Sequence, residues 1–172
     1  MRLVMATADF LVAGRPFAGF PLLLNEDGWP MEPAHSFLWQ ALITHGGVES
    51  KLTWEAYGRR LYDYFDFLAA NELQWDEEQK PHGLSVVARY RDWSLGELAL
   101  SPNTVNKRLN LIVRFYGWCK SQGYITQLPF GMRDVRTPAH QGFLTHVDRS
   151  GGVVQKPAIM ARERKATITL LT

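Results

Sequence analysis

Residues 101–129 read SPNTVNKRLNLIVRFYGWCKSQGYITQLP, and this stretch decides the fold because it predicts one long amphipathic helix. Ser101 is a preferred N-cap residue, Pro102 suits the first helical position, and Gly123 can end the helix in a left-handed turn. At about 100° per residue, the apolar side chains recur along a single stripe. This stripe consists of Val105, Leu109, Ile112, Tyr116 and Cys119. We therefore expect this helix to pack one face against a core.

The opposite face of the same helix is polar and basic. Lys107 and Arg114 lie nearly opposite the apolar stripe, and Asn103 and Asn110 lie beside them. Arg108 falls at the border between the two faces. Such a face is typical either of a solvated surface or of a surface that contacts an anionic partner.

Charge is distributed unevenly along the chain. Residues 1–100 carry 8 Lys and Arg against 14 Asp and Glu, a net −6, whereas residues 101–172 carry 11 against 3, a net +8; the total is +2. A basic surface attracts phosphate backbones and releases their counterions, so it binds nucleic acid with strong salt dependence. The alternative interpretation is a solvated helix face followed by a basic tail.

Length and composition predict one main folded domain. The chain has 172 residues, of which 46% are hydrophobic and 12% aromatic, and this composition excludes a wholly disordered chain. We find no run of 18 apolar residues and no signal-peptide pattern, and the single cysteine, Cys119, fits a reducing cytoplasm. The five histidines are far apart in sequence, so we expect neither a metal site nor a cofactor.

Three further helices are predicted upstream of residue 101. The first runs from Pro33 to about His45, the second from an N-cap at Thr53 to about Asn71, and the third from Leu84 to Trp93. The second helix carries the largest aromatic load, and Arg59 and Arg60 interrupt its apolar stripe. At least one of these two arginines should therefore face solvent or a ligand.

The two ends of the chain have weaker patterns. Short apolar runs at Phe10–Ala13 and Pro21–Leu24, separated by a turn-prone segment, suggest a small β-hairpin arm that must pack against other elements to be stable. Beyond Pro129 the sequence is mixed and polar, with candidate strands at Val153–Val154 and Ala166–Leu171. Because the chain stops directly after an apolar run, we expect more protein to follow in the natural gene.

Two motifs resemble the N-terminal core-binding domain of tyrosine recombinases, the phage-integrase family. The first is similar to the capped second helix of that family, and it consists of Ser50-Lys51-Leu52-Thr53, Tyr57, Leu61 and Phe65-Asp66-Phe67-Leu68. The second is similar to the last bundle helix and its exit segment, and it consists of Ser101 to Leu109, Phe115 to Cys119, Gly123-Tyr124-Ile125 and Leu128-Pro129-Phe130. The resemblance extends over roughly residues 33–130, and the order and spacing of the pieces carry it.

The resemblance implies an all-α fold, a four-helix SAM-like orthogonal bundle with a short N-terminal β-hairpin arm and a partly structured C-terminal linker. In this division residues 1–32 are the arm, residues 33–130 the core-binding domain, and residues 131–172 an interdomain linker. The linker would lead to a catalytic domain that this chain lacks.

The resemblance also implies a function, sequence-specific binding of duplex DNA by one side of a C-shaped clamp, for DNA integration and recombination. In that family the second and fourth helices face the major groove, which here places six cations near phosphates or base edges: Lys51, Arg59, Arg60, Lys107, Arg108 and Arg114. Lys and Arg on a helix face position a protein by phosphate contacts, and Arg can also read guanine. The implied partners are a recombination half-site and neighbouring recombinase subunits, contacted through the first helix. We expect no membrane or small-molecule partner, and a bacterial or phage-encoded protein in the cytoplasm at the nucleoid.

The catalytic set of the family is not expected in this chain. That chemistry needs a tyrosine nucleophile, arginines that stabilise the transition state, and a Lys and a His for proton transfer. His146-Val147-Asp148-Arg149 has the family's His-x-x-Arg spelling, but no tyrosine follows Tyr124. We interpret this short match as chance and assign strand cleavage and rejoining to the parent enzyme.

Two alternatives remain open at the level of sequence. Helical bundles of this type also mediate protein contacts, so the basic face could meet an acidic protein instead of DNA. A small self-sufficient enzyme is disfavoured because neither a nucleophile constellation nor a metal constellation is present. Trp118 projects away from the main stripe and could stack on bases, although aromatic residues at helical spacing more often belong to a core.

Overall fold

The computed structural model describes residues 1–44, 50–77, 83–136 and 153–162. The helices are α1 (Ala34–Trp39), α2 (Lys51–Ala70), α3 (Val86–Gly96) and α4 (Pro102–Ser121), and a π-helical segment, Gln40–Thr44, follows α1 directly. The strands are β1 (Arg2–Met5), β2 (Leu11–Val12), β3 (Arg15–Pro16), β4 (Pro21–Leu24), β5 (Met132–Arg136) and β6 (Val153–Pro157). The protein is therefore broadly helical, as predicted, but it also carries short antiparallel strand pairs.

Helix α4 forms as its sequence predicts. The Ser101 Oγ accepts a hydrogen bond from the Thr104 backbone N–H at 3.2 Å, and Gly123 has a positive φ of 79°. The Tyr124 backbone N–H then donates to the Cys119 carbonyl at 2.9 Å, which closes the C-terminal turn. The whole predicted apolar stripe is buried, and Leu111 and Phe115 widen it. The position and core-facing side of α4 are thus confirmed.

The other helices exist where they were predicted, but their ends differ. Helix α2 begins at Lys51 because the Thr53 N–H already bonds to the Ser50 carbonyl at 2.9 Å, so the prediction of Thr53 as N-cap is wrong. Ser85 caps α3 by accepting from the Ala88 N–H at 3.1 Å, and α3 continues to Gly96, since buried Ser94 keeps the chain on the core. The predicted end of the first helix at His45 lies outside the described residues.

The N-terminal arm pairs differently from the predicted hairpin. Ala13 and Gly14 both have positive φ, as a two-residue type I′ turn requires, so β2 pairs locally with β3. Strand β4 is then left to pair antiparallel with β1, from Arg2 opposite Leu24 to Met5 opposite Pro21. The arm therefore contains two strand pairs rather than one hairpin.

The arm packs directly on α2. Phe20 and Leu23 are fully buried and belong to the same core as the helices. At Gly58 of α2, a Cβ atom would lie 2.4 Å from the Cβ of Pro21, so only glycine lets the arm approach this closely. The short arm thus gains its stability from the bundle.

Buried tyrosines join α2 to α4 at the centre of the core. The Tyr116 hydroxyl donates to the Trp75 carbonyl at 2.6 Å, so Tyr64, 2.7 Å away, donates to Tyr116. Burial raises the pKa of both tyrosines. Burial also raises the pKa of Cys119 to about 12, which identifies this thiol as a packing group, as the sequence predicts.

After α4 the chain forms the β5–β6 hairpin and a strap, residues 158–162, that returns to the bundle. Ile159 of the strap is buried in the core, and its carbonyl accepts from the Arg91 guanidinium of α3 at 3.3 Å. The candidate strand at Val153–Val154 is part of β6, whereas the one at Ala166–Leu171 lies outside the described residues. The described part of the expected linker is thus ordered against α3 and α4.

Helices of sufficient length and apolar character to cross a membrane are not found in the described part of the chain.

Candidate nucleic-acid interface

The solvent side of α4 carries a basic strip, defined here as Asn103, Lys107, Asn110 and Arg114. All four residues are exposed. Their spacing of four, three and four residues aligns them along one side of the helix. Within the described residues Lys107 makes no ion pair. The strip is therefore a charged surface that faces solvent, as the sequence predicts.

Arg114 is held in place by a tyrosine of the neighbouring helix. Its guanidinium donates a hydrogen bond to the Tyr57 hydroxyl of α2 and lies 5.4 Å from the centre of the Tyr57 ring. This cation–π contact orients the guanidinium while its remaining N–H groups stay available, because arginine has five donors. Arg114 is thus an oriented cation on an exposed surface.

Arg108 has a different environment from its neighbours on α4. Its guanidinium lies 3.0 Å from the Asp63 carboxylate of α2 and donates to the Tyr90 hydroxyl of α3 at 3.2 Å. Only 19% of the side chain is exposed. Arg108 therefore joins three helices, and its place at the border of the two faces of α4 explains why it turns inward.

The three predicted cations of α2 do not form one group. Arg59 is 67% exposed, pairs with Glu55 at 2.8 Å, and lies beside β1 in a cleft that Arg2 also lines. Lys51 lies against the arm, with its side chain 3.5 Å from where a Cβ of Gly19 would be. Both cations are thus on the arm side of α2.

Arg60 lies closer to α4 than the other two cations of α2. It is half-buried, and it is three residues from both Tyr57 and Asp63, which contact Arg114 and Arg108 of α4. Residues at this spacing share a helix face, so Arg60 lies at the α2 margin of the basic strip.

A second basic feature was missed by the sequence analysis. Arg133 of β5, Lys156 of β6 and Arg162 of the strap line a cleft of about 750 Å³ together with Asn110 of the basic strip. We call this feature the hairpin cleft. The net charge of +8 after residue 100 was the only signal for it, because contacts between α4 and a later hairpin are not visible in a local pattern.

Trp118 packs between helices. Its indole N–H donates to the Gln40 side-chain oxygen, and its ring contacts Phe37 and Tyr124. The side chain is only partly exposed. These contacts give Trp118 a role in attaching α1 to α4.

No cluster of three or more His, Cys, Asp or Glu side chains suited to a metal ion is found in the described ranges. His82, His140 and the His146–Arg149 motif lie outside those ranges.

Neither a protein-family model, nor a curated protein, nor a solved structure matches this chain. The functional argument is therefore carried by the residues and geometry described above.

Proposed function

We propose that this chain binds duplex DNA through α4, as the core-binding part of a tyrosine recombinase with a SAM-like helical bundle. The observation that carries the proposal is the basic strip, which presents Lys107 and Arg114 to solvent on a rigid, well-packed helix. The two sequence motifs that resemble the recombinase family support the choice of DNA over other anionic partners. Cleavage and rejoining would be performed by a catalytic domain of the parent enzyme.

The dimensions of α4 suit a DNA groove. Its 20 residues extend for about 30 Å, and the major groove of B-DNA admits an α-helix. Lys107 and Arg114 are seven residues apart, which corresponds to about 10 Å along the helix axis. This separation lets each cation reach a different phosphate, because duplex DNA carries one charge about every 1.7 Å of its axis.

The two cations would have different roles. Lys107 is a flexible point charge suited to a phosphate, whereas the oriented guanidinium of Arg114 can form paired hydrogen bonds with a phosphate or a guanine edge. Arg60 would add a phosphate contact at the margin. We leave Arg108 outside the contact surface because Asp63 neutralises it, and Lys51 and Arg59 would act only through long-range attraction.

The proposal extends to the surroundings of the protein. Neighbouring subunits on paired half-sites would contact one another through α1, and the protein would act in the cytoplasm at the nucleoid of a bacterial host. The second candidate function, contact with an acidic protein, is favoured by the same strip but not by the family motifs.

Replacement of both cations of the strip tests the proposal. We expect Lys107→Ala/Arg114→Ala to weaken binding to a labelled duplex and to reduce the slope of log K against log salt by about 1.8, since each lost phosphate contact removes about 0.9. The measurement is fluorescence anisotropy between about 50 and 200 mM salt. The matched control is Arg2→Ala/Arg15→Ala, which removes the same charge from exposed positions of the arm.

Two outcomes would contradict the proposal. Equal slopes for the wild type and the strip variant would show that α4 does not contact phosphates. Absence of any retardation of duplex DNA by the wild type, even at low salt, would favour the acidic-protein alternative.

A further inference from the structure

We infer that the hairpin cleft is a second phosphodiester site, which takes the backbone of the same duplex that α4 binds. This inference rests on the proposed function and adds a second contact region, built from the hairpin and the strap. Four observations support it: a cross-strand pair of like charges, the lack of a carboxylate among the described lining residues, continuity with the basic strip, and a fixed connection to α4.

The first observation concerns the two strands of the hairpin. Arg133 of β5 is directly opposite Lys156 of β6 in the antiparallel register, and both side chains are exposed and line the cleft. Directly opposed residues have their Cβ atoms only about 5 Å apart, and like charges at such positions destabilise a sheet. A bound anion between the two side chains would remove that repulsion.

The second observation is the charge balance of the cleft. Its described lining contains three cations, Arg133, Lys156 and Arg162, and no carboxylate. Asp134 is next to Arg133 in sequence, but alternation along the strand places it on the opposite face of the hairpin, across from Gln155. In the described part of the chain none of the three cations makes an ion pair, so the positive charge of the cleft is not neutralised internally.

The third observation selects the ligand. Asn110 belongs to both the basic strip and the cleft, so a strand that follows the strip continues into the cleft. The cations are exposed, and Pro157 and Met160 form the apolar part of the lining. An enclosed small-molecule pocket would bury most of its ligand, whereas this open, cationic geometry suits an extended polyanion such as a DNA backbone.

The fourth observation is how the cleft is held together. Asn106 of α4 donates from its side-chain amide to the Ala161 carbonyl at 3.1 Å and accepts from the Ala161 N–H at 2.8 Å. This two-point contact fixes the strap one helical turn away from Asn110, and buried Ile159 anchors its other end. The cations of the hairpin and those of α4 are therefore positioned relative to each other before any ligand arrives.

The test removes the opposed pair from the full 172-residue chain. We expect Arg133→Gln/Lys156→Gln to weaken duplex binding about threefold or more at 200 mM relative to 50 mM salt wild-type behaviour, with the log–log slope reduced by about 0.9 for each phosphate lost. The charge-preserving swap Arg133→Lys/Lys156→Arg should retain the wild-type slope, and Arg2→Gln/Arg15→Gln controls for net charge. Circular dichroism establishes that each variant is folded.

The outcomes separate this inference from the proposed function. If the wild type binds duplex, Lys107→Ala/Arg114→Ala lowers the slope and Arg133→Gln/Lys156→Gln does not, the cleft proposal is overturned and the α4 interface stands. If the wild type does not bind duplex at low salt, both fail. Competition by poly-glutamate as strong as that by DNA of equal charge would also overturn the phosphodiester assignment, since it would indicate an acidic protein.

Discussion

Arginines of the same helix have different roles because their neighbours differ. Arg108 is surrounded by Asp63 and Tyr90 and is mostly buried, whereas Arg114 is exposed and only oriented by Tyr57. Six positions separate them, so their directions on the helix differ and only Arg114 faces solvent with the strip. The identity of a residue therefore does not decide between a structural and a binding role.

The structural role of Arg108 leads to a prediction about stability. We expect Arg108→Gln to lower the free energy of unfolding by about 1–3 kcal/mol, because Asp63 and Tyr90 lose a charged hydrogen-bond partner. Urea denaturation measures this change. Lys107→Gln serves as the control and should shift stability by no more than about 0.5 kcal/mol, because Lys107 is exposed and makes no ion pair within the described residues. Equal stability of the two variants would contradict the assignment.

At the scale of elements, the contact between the arm and α2 depends on a single glycine. Glycine costs a helix about 1 kcal/mol relative to alanine, so a glycine inside α2 requires a packing reason. That reason is the approach of Pro21 and Leu3 to Gly58. The sequence does not reveal it, because the strand that covers Gly58 lies more than 30 positions earlier in the chain.

Alanine at Gly58 should therefore be destabilising despite its better helix propensity. We expect Gly58→Ala to cost about 1–3 kcal/mol, since the new Cβ would lie 2.4 Å from Pro21 and 3.2 Å from Leu3 and force a shift of the arm. Gly117→Ala in α4 is the matched control: nothing lies within 4 Å of its Cβ position, so it should stabilise the protein by up to about 1 kcal/mol. Thermal unfolding of both variants, followed by circular dichroism, distinguishes the two effects. A stabilised Gly58→Ala would show that the arm does not pack on α2.

Prediction of elements from sequence succeeded where the signal is local. The caps, the stripe and the end of α4 are all encoded within about 20 neighbouring residues, and the structure has them at the predicted places. The strand pairing of the arm was wrong because the type I′ turn at Ala13-Gly14 pairs β2 with β3, and β4 then pairs with β1. Partner choice between strands depends on which other segment is already paired.

At the scale of the whole molecule, the core contains acids that cannot ionise without unfolding. Burial raises the pKa of Cys119 from its ordinary 9.0 to about 12 and raises the pKa of Tyr64 and Tyr116 above their ordinary 10.0. The unfolded chain would release these protons near pH 9 to 10, whereas the folded chain retains them. Stability is therefore complete below this range and falls as the pH rises through it.

We accordingly expect the urea midpoint to decrease progressively above pH 9. The double variant Tyr64→Phe/Tyr116→Phe removes two of the titrating groups, so its midpoint should decrease less steeply with pH, even if its stability at neutral pH is lower. The readout is the slope against pH rather than the absolute stability. Parallel slopes for wild type and variant would contradict a contribution from the tyrosine pair.

The sequence alone determined the four helices, the buried and exposed faces of α4, and the concentration of positive charge after residue 100. These properties follow from the helical period and from composition, which are local or additive. Only the tertiary structure decided that Arg108 turns to Asp63, that Tyr57 orients Arg114, and that Arg133 and Lys156 come to lie beside Asn110. Each of these depends on contacts between residues far apart in the chain, such as the 68 positions between Arg91 and Ile159, and packing of the complete core selects such contacts.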